Sequence, residues 1–236
     1  MESSGSETIA QRVHSILSAI RTAAERAGRS PGDVKLVAAT KTVTIDRIRE
    51  GIGAGLSILG ENRVQEAVPK IAALAGEPVR WHFIGQLQRR KVRSIIGLFD
   101  LIHSVDSLEL AQEIDRRAAE SGRVQDVLLE VNVGGESSKA GFHPDGLEPA
   151  IPAIAGLSHV RIKGLMTIPP PTREAEEARV YFRKLRALGE AVAARKIPGV
   201  SMEELSMGMS NDYRVAIEEG ATLVRIGSAI FGARHV

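Results

Sequence analysis

The chain contains no cysteine. Disulfides, thiolate nucleophiles and cysteine-based zinc sites are therefore excluded, and nothing points to an oxidising compartment. Aromatic residues make up only 3% of the sequence, too few to supply the stacking that nucleic-acid binders use, so no nucleic-acid partner is expected. The net charge of +2 is small. Its one dense basic run, Arg89-Arg90-Lys91 with Arg93, reads first as a solvated helix face, and equally as a patch that steers an anion toward a cleft. No apolar stretch approaches membrane-spanning length, and Met1 to Ser6 are polar and acidic rather than basic and then apolar. The expectation is a protein neither exported nor inserted in a membrane, working in the cytoplasm, with residues 1–6 a disordered tail. The six histidines show no ligand spacing with nearby carboxylates, so no metal is expected.

What is present suits a single α/β domain over residues 1–236, since 43% apolar residues can build one continuous core. Apolar runs bounded by glycine or acidic turns begin near Val34, Ser57, Val79, Leu101, Gln125, Val160, Glu203 and Leu223. Amphipathic stretches lie between them: Ile45 to Ala54, Val64 to Leu74, Lys91 to Ile96, Leu108 to Glu120, Leu147 to Ile154, Glu174 to Ala194 and Asp212 to Glu219. Strand and helix alternating with crossovers long enough for parallel pairing predict a closed (β/α)8 TIM barrel, with an open doubly wound sheet as the alternative. An extra helix from Glu7 to Ala27, with Ile9, Val13, Ile16, Leu17 and Ile20 on one face and Gly28 as its stop, is expected to cap the lower end. Gly134 to Gly146 reads as a mobile loop over the upper end, and Pro169-Pro170-Pro171 stiffens the exit of the sixth strand.

Strand alternation sorts residues by face. Val37, Ala39 and Lys41 share one face of the first strand, Leu128, Glu130 and Asn132 one face of the fifth, and Leu223, Arg225 and Gly227 one face of the last. Barrel exteriors meet helices and should be apolar, which assigns Lys41, Asn132 and Arg225 to the interior. Either cation can simply pair with a carboxylate such as Glu130. Two cations in one barrel mouth, however, call for anionic company such as a phosphorylated ligand, and a lysine there has the makings of a Schiff-base nucleophile. A phosphate site is expected after strands seven and eight, at Ser210, Gly227 and Ser228, although Ser210 or Asn211 can be a plain helix cap and Gly227 a plain turn. His82 and His103 fall near strand ends, as site-rim acids or bases or as hydrogen-bonded structural histidines. Glu66 most simply faces solvent; Met207 and Met209 most simply belong to the core.

Seven segments carry a resemblance: Val37-Ala38-Ala39-Thr40-Lys41-Thr42, Gly60-Glu61-Asn62-Arg63-Val64-Gln65-Glu66, Trp81-His82-Phe83-Ile84-Gly85, Ser138-Lys139-Ala140-Gly141, Gly164-Leu165-Met166-Thr167-Ile168, Ser206-Met207-Gly208-Met209-Ser210, and Arg225 through Gly232. Together, in order from about Val34 to Arg234, they resemble the pyridoxal phosphate homeostasis protein family. The resemblance implies a barrel similar to the N-terminal domain of alanine racemase, holding pyridoxal 5′-phosphate (PLP) as an aldimine on Lys41. It places Asn62 beside the ring, Met166 against its face and Arg225 near the pyridine nitrogen, with Ser210, Gly227 and Ser228 at the phosphate; strand position, not the resemblance, makes His82, His103 and Asn132 candidate rim residues. One departure is Arg90, where the family more often has asparagine, so no role is carried over to that loop.

The resemblance implies a carrier or buffer of PLP in vitamin B6 homeostasis that meets apo-PLP enzymes transiently, with no committed reaction; since no large exposed apolar helix face is evident, a monomer is expected. The residues lean the same way: an arginine cannot protonate the ring nitrogen as an acid would, which discourages carbanion chemistry. Tyr181 and Tyr213, the only tyrosines, fall in outer helices. A weak PLP-dependent amino-acid racemase or other fold-type III enzyme is the alternative, and a cofactor-free Schiff-base aldolase the third reading.

Overall fold

The computed structural model describes residues 7–136 and 139–232; the expected tail at 1–6 and Ser138 of the fourth segment lie outside them. Eight parallel strands close into a barrel in sequential order, so the alternation of apolar runs and amphipathic stretches is that of a TIM barrel and not of an open sheet. The strands are β1 (Lys35–Ala39), β2 (Ile58–Glu61), β3 (Arg80–Phe83), β4 (Leu101–Val105), β5 (Gln125–Glu130), β6 (Val160–Met166), β7 (Val200–Ser206) and β8 (Leu223–Ile226). Around them run α1 (Ile9–Arg26), α2 (Ile45–Gly53), α3 (Val64–Ala73), α4 (Leu108–Glu120), α5 (Pro144–Ala155), α6 (Arg179–Ala194), α7 (Tyr213–Glu218) and α8 (Ser228–Phe231). Between β3 and β4 the crossover holds only a short 3-10 helix, Arg89–Ser94.

Local signals account for the helices. In α4, Leu110, Ala111, Ile114 and Ala118 are buried at helical spacing, and the Ser107 hydroxyl accepts from the Leu110 amide. In α1 a reciprocal cap joins Thr8 and Gln11, whose side chains each accept from the other's backbone N–H at 3.2 and 2.8 Å; such a cap is worth about 1 kcal/mol.

The interior of the barrel and the layer between barrel and helices form separate clusters. Val37, Ile58, Leu101, Leu128, Met166 and Leu223 pack inside, with Ile84 against them. Ala38, Leu59, Ile102, Leu129, Ile162 and Val224 face the helices. Alternation thus holds in β1, β5 and β8, and fails in two strands. In β4, Ile102 and Val105 both face outward across a register shift, and in β6 the same happens with Ile162 and Leu165. An extra residue in a strand reverses the phase of all that follows, and this brings Met166 to the interior.

α1 does not lie across the lower end. It packs on α2, α7 and α8, alongside the β8 to β1 seam. The four residues of α8 are too few to cover that seam, and α1 occupies the vacant sector. Arg12 and Arg47 donate to carbonyls of α8, and Arg29 donates to the carbonyls of Ile217 and Ala221, both at 2.8 Å.

Candidate functional site

The upper end, where strands deliver their C-termini, gathers most of the candidate residues. Register pairs Val37 with Arg225 and Ala38 with Ile226, which sets Ala39 beside Gly227 at the mouth. A side chain at Gly227 would put its Cβ 3.0 Å from the Ala39 carbonyl oxygen and 3.2 Å from the Ala39 Cβ, so any larger residue would have to push the end of β1 back by a few tenths of an ångström. β1 ends at Ala39, and Lys41 sits two residues beyond in a turn, exposed to solvent. It is at the mouth of the barrel, not at the end of a buried strand. Ser210 and Ser228, delivered by the loops after β7 and β8, bring their hydroxyls within 3.2 Å of each other.

Arg225 lies deeper, 5% exposed. Its guanidinium donates to the Ser206 hydroxyl at 2.5 Å and to the Thr167 carbonyl at 2.8 Å. Burial lowers its pKa to about 10, with Glu130 and Asp212 acting against the shift, so it stays cationic at neutral pH. Beneath it runs a chain that strand alternation alone does not reveal. The Ser206 hydroxyl is 2.9 Å from His103 Nδ1, and His103 Nε2 is 2.9 Å from His82 Nδ1. His82 and His103 are buried inside the barrel rather than on its rim. Burial, then the charges of Arg80 and Lys35, push the His82 pKa down to about 3; burial, then His82 and Arg225, push His103 well below its usual value. Both rings are neutral, and a neutral His103 has one N–H to give. The chain must therefore polarise in a single direction, toward Ser206 or away from it.

Asn132 does not point into the barrel. Its amide donates to the Glu136 carbonyl at 2.7 Å and accepts from the Glu136 N–H at 3.3 Å, organising its own loop. Met207 is buried, whereas Met209 is exposed at the rim. Glu66, expected in solvent, accepts from the Thr42 amide at 3.1 Å. Glu61 is wholly buried. Among the described residues no group of three or more acidic or histidine side chains is arranged to hold a metal, and no helix is long and apolar enough to cross a membrane.

Glu130 stands in register with Met166, hence on the interior side of β5. Burial, with the charge of Asp106, raises its pKa to about 7 against the partial opposition of Arg225. Since the usual value is 4.5, the folded chain binds an extra proton between these limits. The associated stability is present at low pH and is lost as pH rises through about 7. Glu130→Gln is accordingly expected to gain stability over the native chain at about pH 8 and to lose that advantage at about pH 4. Denaturant midpoints measured in parallel check this; a difference independent of pH would contradict it.

These residues suit PLP. The Asn62 Oδ1 is buried with no hydrogen-bond partner and is free to meet a polar ring substituent, the two hydroxyls converge as a phosphate would require, and Arg225 offers a fixed donor from below.

Fold and mouth together define a barrel of the alanine racemase N-terminal type. The family model described as alanine racemase, N-terminal domain, matches residues 13–235. Alanine racemase of Clostridium difficile shares the fold at a TM-score of 0.70 and 16% identity, over 95% of this chain and 57% of that one. Within that class the chain belongs to the pyridoxal phosphate homeostasis protein family. The protein of that name from Aquifex aeolicus is 48% identical over 224 residues, 95% of this chain and 97% of the relative. PipY of Synechococcus elongatus, solved with PLP bound, is similar at a TM-score of 0.83 and 37% identity, covering 95% of this chain and 100% of that one.

Proposed function

We propose that the chain binds PLP at the upper mouth of the barrel, with Lys41 as covalent anchor, and serves as a carrier or buffer of the cofactor in intracellular vitamin B6 homeostasis. The observation that carries the reading is the meeting at the β8 to β1 seam of the Lys41 turn, the Ser210 and Ser228 hydroxyls 3.2 Å apart, and buried, tethered Arg225. When bound, PLP supplies an aldehyde that condenses with an amine and a ring that can delocalise negative charge.

The protein's own residues divide the holding. Ser210, Ser228 and the backbone at Gly227 take the phosphate, Asn62 the ring edge and Met166 the ring face. Arg225 donates to the ring nitrogen, and because it does not give up its proton at neutral pH the ring stays a weak electron sink. That favours retention over turnover. Tyr181 lies in α6 and Tyr213 in α7, both packed into the layer outside the barrel, so neither reads as a base facing the ring. In this reading the protein is a cytoplasmic monomer that yields PLP transiently to apo-enzymes.

The purified protein mixed with PLP is expected to turn yellow, and borohydride to bleach the band and leave a phosphopyridoxyl adduct on Lys41 in peptide mass spectra. An adduct confined to other lysines, or steady turnover of a pure amino acid enantiomer, would overturn the assignment.

A further inference from the structure

We propose that Glu61, Lys70 and Glu66 are positioning residues for Lys41, together fixing the Thr40-Lys41-Thr42 turn from both of its flanks. The proposal rests on the functional reading above, since it assigns the machinery that aims the anchoring amine.

The flank toward the helices is held by a buried ion pair. Thr40 is fully buried, and its hydroxyl donates to Glu61 Oε1 at 2.6 Å. Lys70, reaching in from α3, donates to that same oxygen at 2.7 Å and to the Thr40 carbonyl at 2.6 Å. The Thr40 carbonyl also accepts from the Val43 amide at 3.0 Å, closing the turn, while the Thr40 amide donates to the Gly60 carbonyl at 2.9 Å. The outer flank is held by Glu66. Thr42 has a φ of 62°, a left-handed conformation that a β-branched residue adopts only under constraint. Its amide donates to Glu66 Oε2 at 3.1 Å and its hydroxyl to the Lys41 carbonyl at 2.6 Å. Arg63 in turn pairs with Glu66 Oε1 at 3.4 Å.

A buried ion pair rarely adds net stability over a well-packed apolar pair. Here its hydrogen bonds end on the residue before Lys41, and Glu66 binds the residue after it. A lysine carries four rotatable bonds, so the reach of its amine depends on where its Cα is placed; fixing the turn removes backbone freedom that covalent capture would otherwise have to remove.

Glu66 provides the cleaner test because its side chain is only partly buried, unlike those of Glu61 and Lys70. Glu66→Ala is expected to unfold at nearly the native temperature, to bind PLP about tenfold more weakly, and to shift the pH midpoint of the visible band. Glu66→Gln keeps an oxygen that can accept from Thr42 and should retain native affinity and midpoint. The double variant Glu61→Gln/Lys70→Met, which removes both buried charges, should remain folded and show the same weakening as Glu66→Ala. Native affinity and midpoint in Glu66→Ala, or equal losses in Glu66→Ala and Glu66→Gln, would overturn the positioning role. If the native chain takes no PLP on Lys41, the functional reading fails, and positioning is judged on cofactor-free protein instead. The rate at which acetic anhydride labels Lys41, relative to exposed Lys184, should then differ between Glu66→Ala and the native chain but not between Glu66→Gln and the native chain. Equal ratios in all three would refute it.

Discussion

Lys70→Met is expected to cost the folded protein about 3–5 kcal/mol, the usual penalty for removing one partner of a buried ion pair. Glu61 has no exposed side-chain surface and Lys70 only 11%. One carboxylate oxygen, Oε1, takes both the Lys70 ammonium and the Thr40 hydroxyl, while Oε2 has no partner at all. Without the ammonium, a charged group enclosed by Thr40, β2 and α3 keeps a single neutral donor. For a chain of this size, each kcal/mol lowers the melting temperature by about 2–4 °C, so a drop of roughly 10 °C is expected by calorimetry. Adding Glu61→Gln should restore most of it, because the stranded charge is then gone. A single variant as stable as the native chain would show that Glu61 is compensated by another group.

Gly164→Ala should be more damaging still, costing upward of about 4 kcal/mol and leaving little soluble protein, the range reached only when a named structural device is broken. Gly164 lies at the register shift in β6 with φ at 156°. A Cβ there would fall 1.8 Å from the Glu204 carbonyl oxygen and 2.7 Å from its carbon, on the backbone of the neighbouring strand. No rotamer relieves a backbone overlap; β6 and β7 would have to separate. Glu204 also pairs with Lys35 of β1 and accepts from Thr222 at 2.6 Å, so the disturbance reaches the seam that closes the barrel. Soluble expression and far-UV circular dichroism beside the native chain decide the matter, and a folded variant with native melting would refute it.

Much of this arrangement can be read from the residues alone. Leu108 to Glu120 has helical periodicity at both ends and a serine cap, and the helix observed has those same bounds. β7 begins at Val200 rather than near Glu203, because its partly exposed residues alternate too weakly to mark a start. The inward face of β1, β5 and β8 follows from period two, whereas that of Met166 depends on an extra residue in β6, visible only once β6 is aligned against β5. Glu61 and Lys70 are separated by strand, turn and helix; nothing in their spacing distinguishes a buried pair from two surface charges. The Thr42 φ and its bond to Glu66 are likewise properties of the packed turn, not of the residue pattern.

The lateral placement of α1 has a consequence for biosynthesis. Its apolar stripe is synthesised before all eight strands, and α2 can cover part of it at once, but α7 and α8 follow only after β7. At ordinary elongation rates the uncovered part waits roughly 10–40 s. For that interval the nascent chain carries a greasy, unsealed helix next to an open sheet edge, so the later-made α7 and α8 act as the clasp that ends its exposure to aggregation.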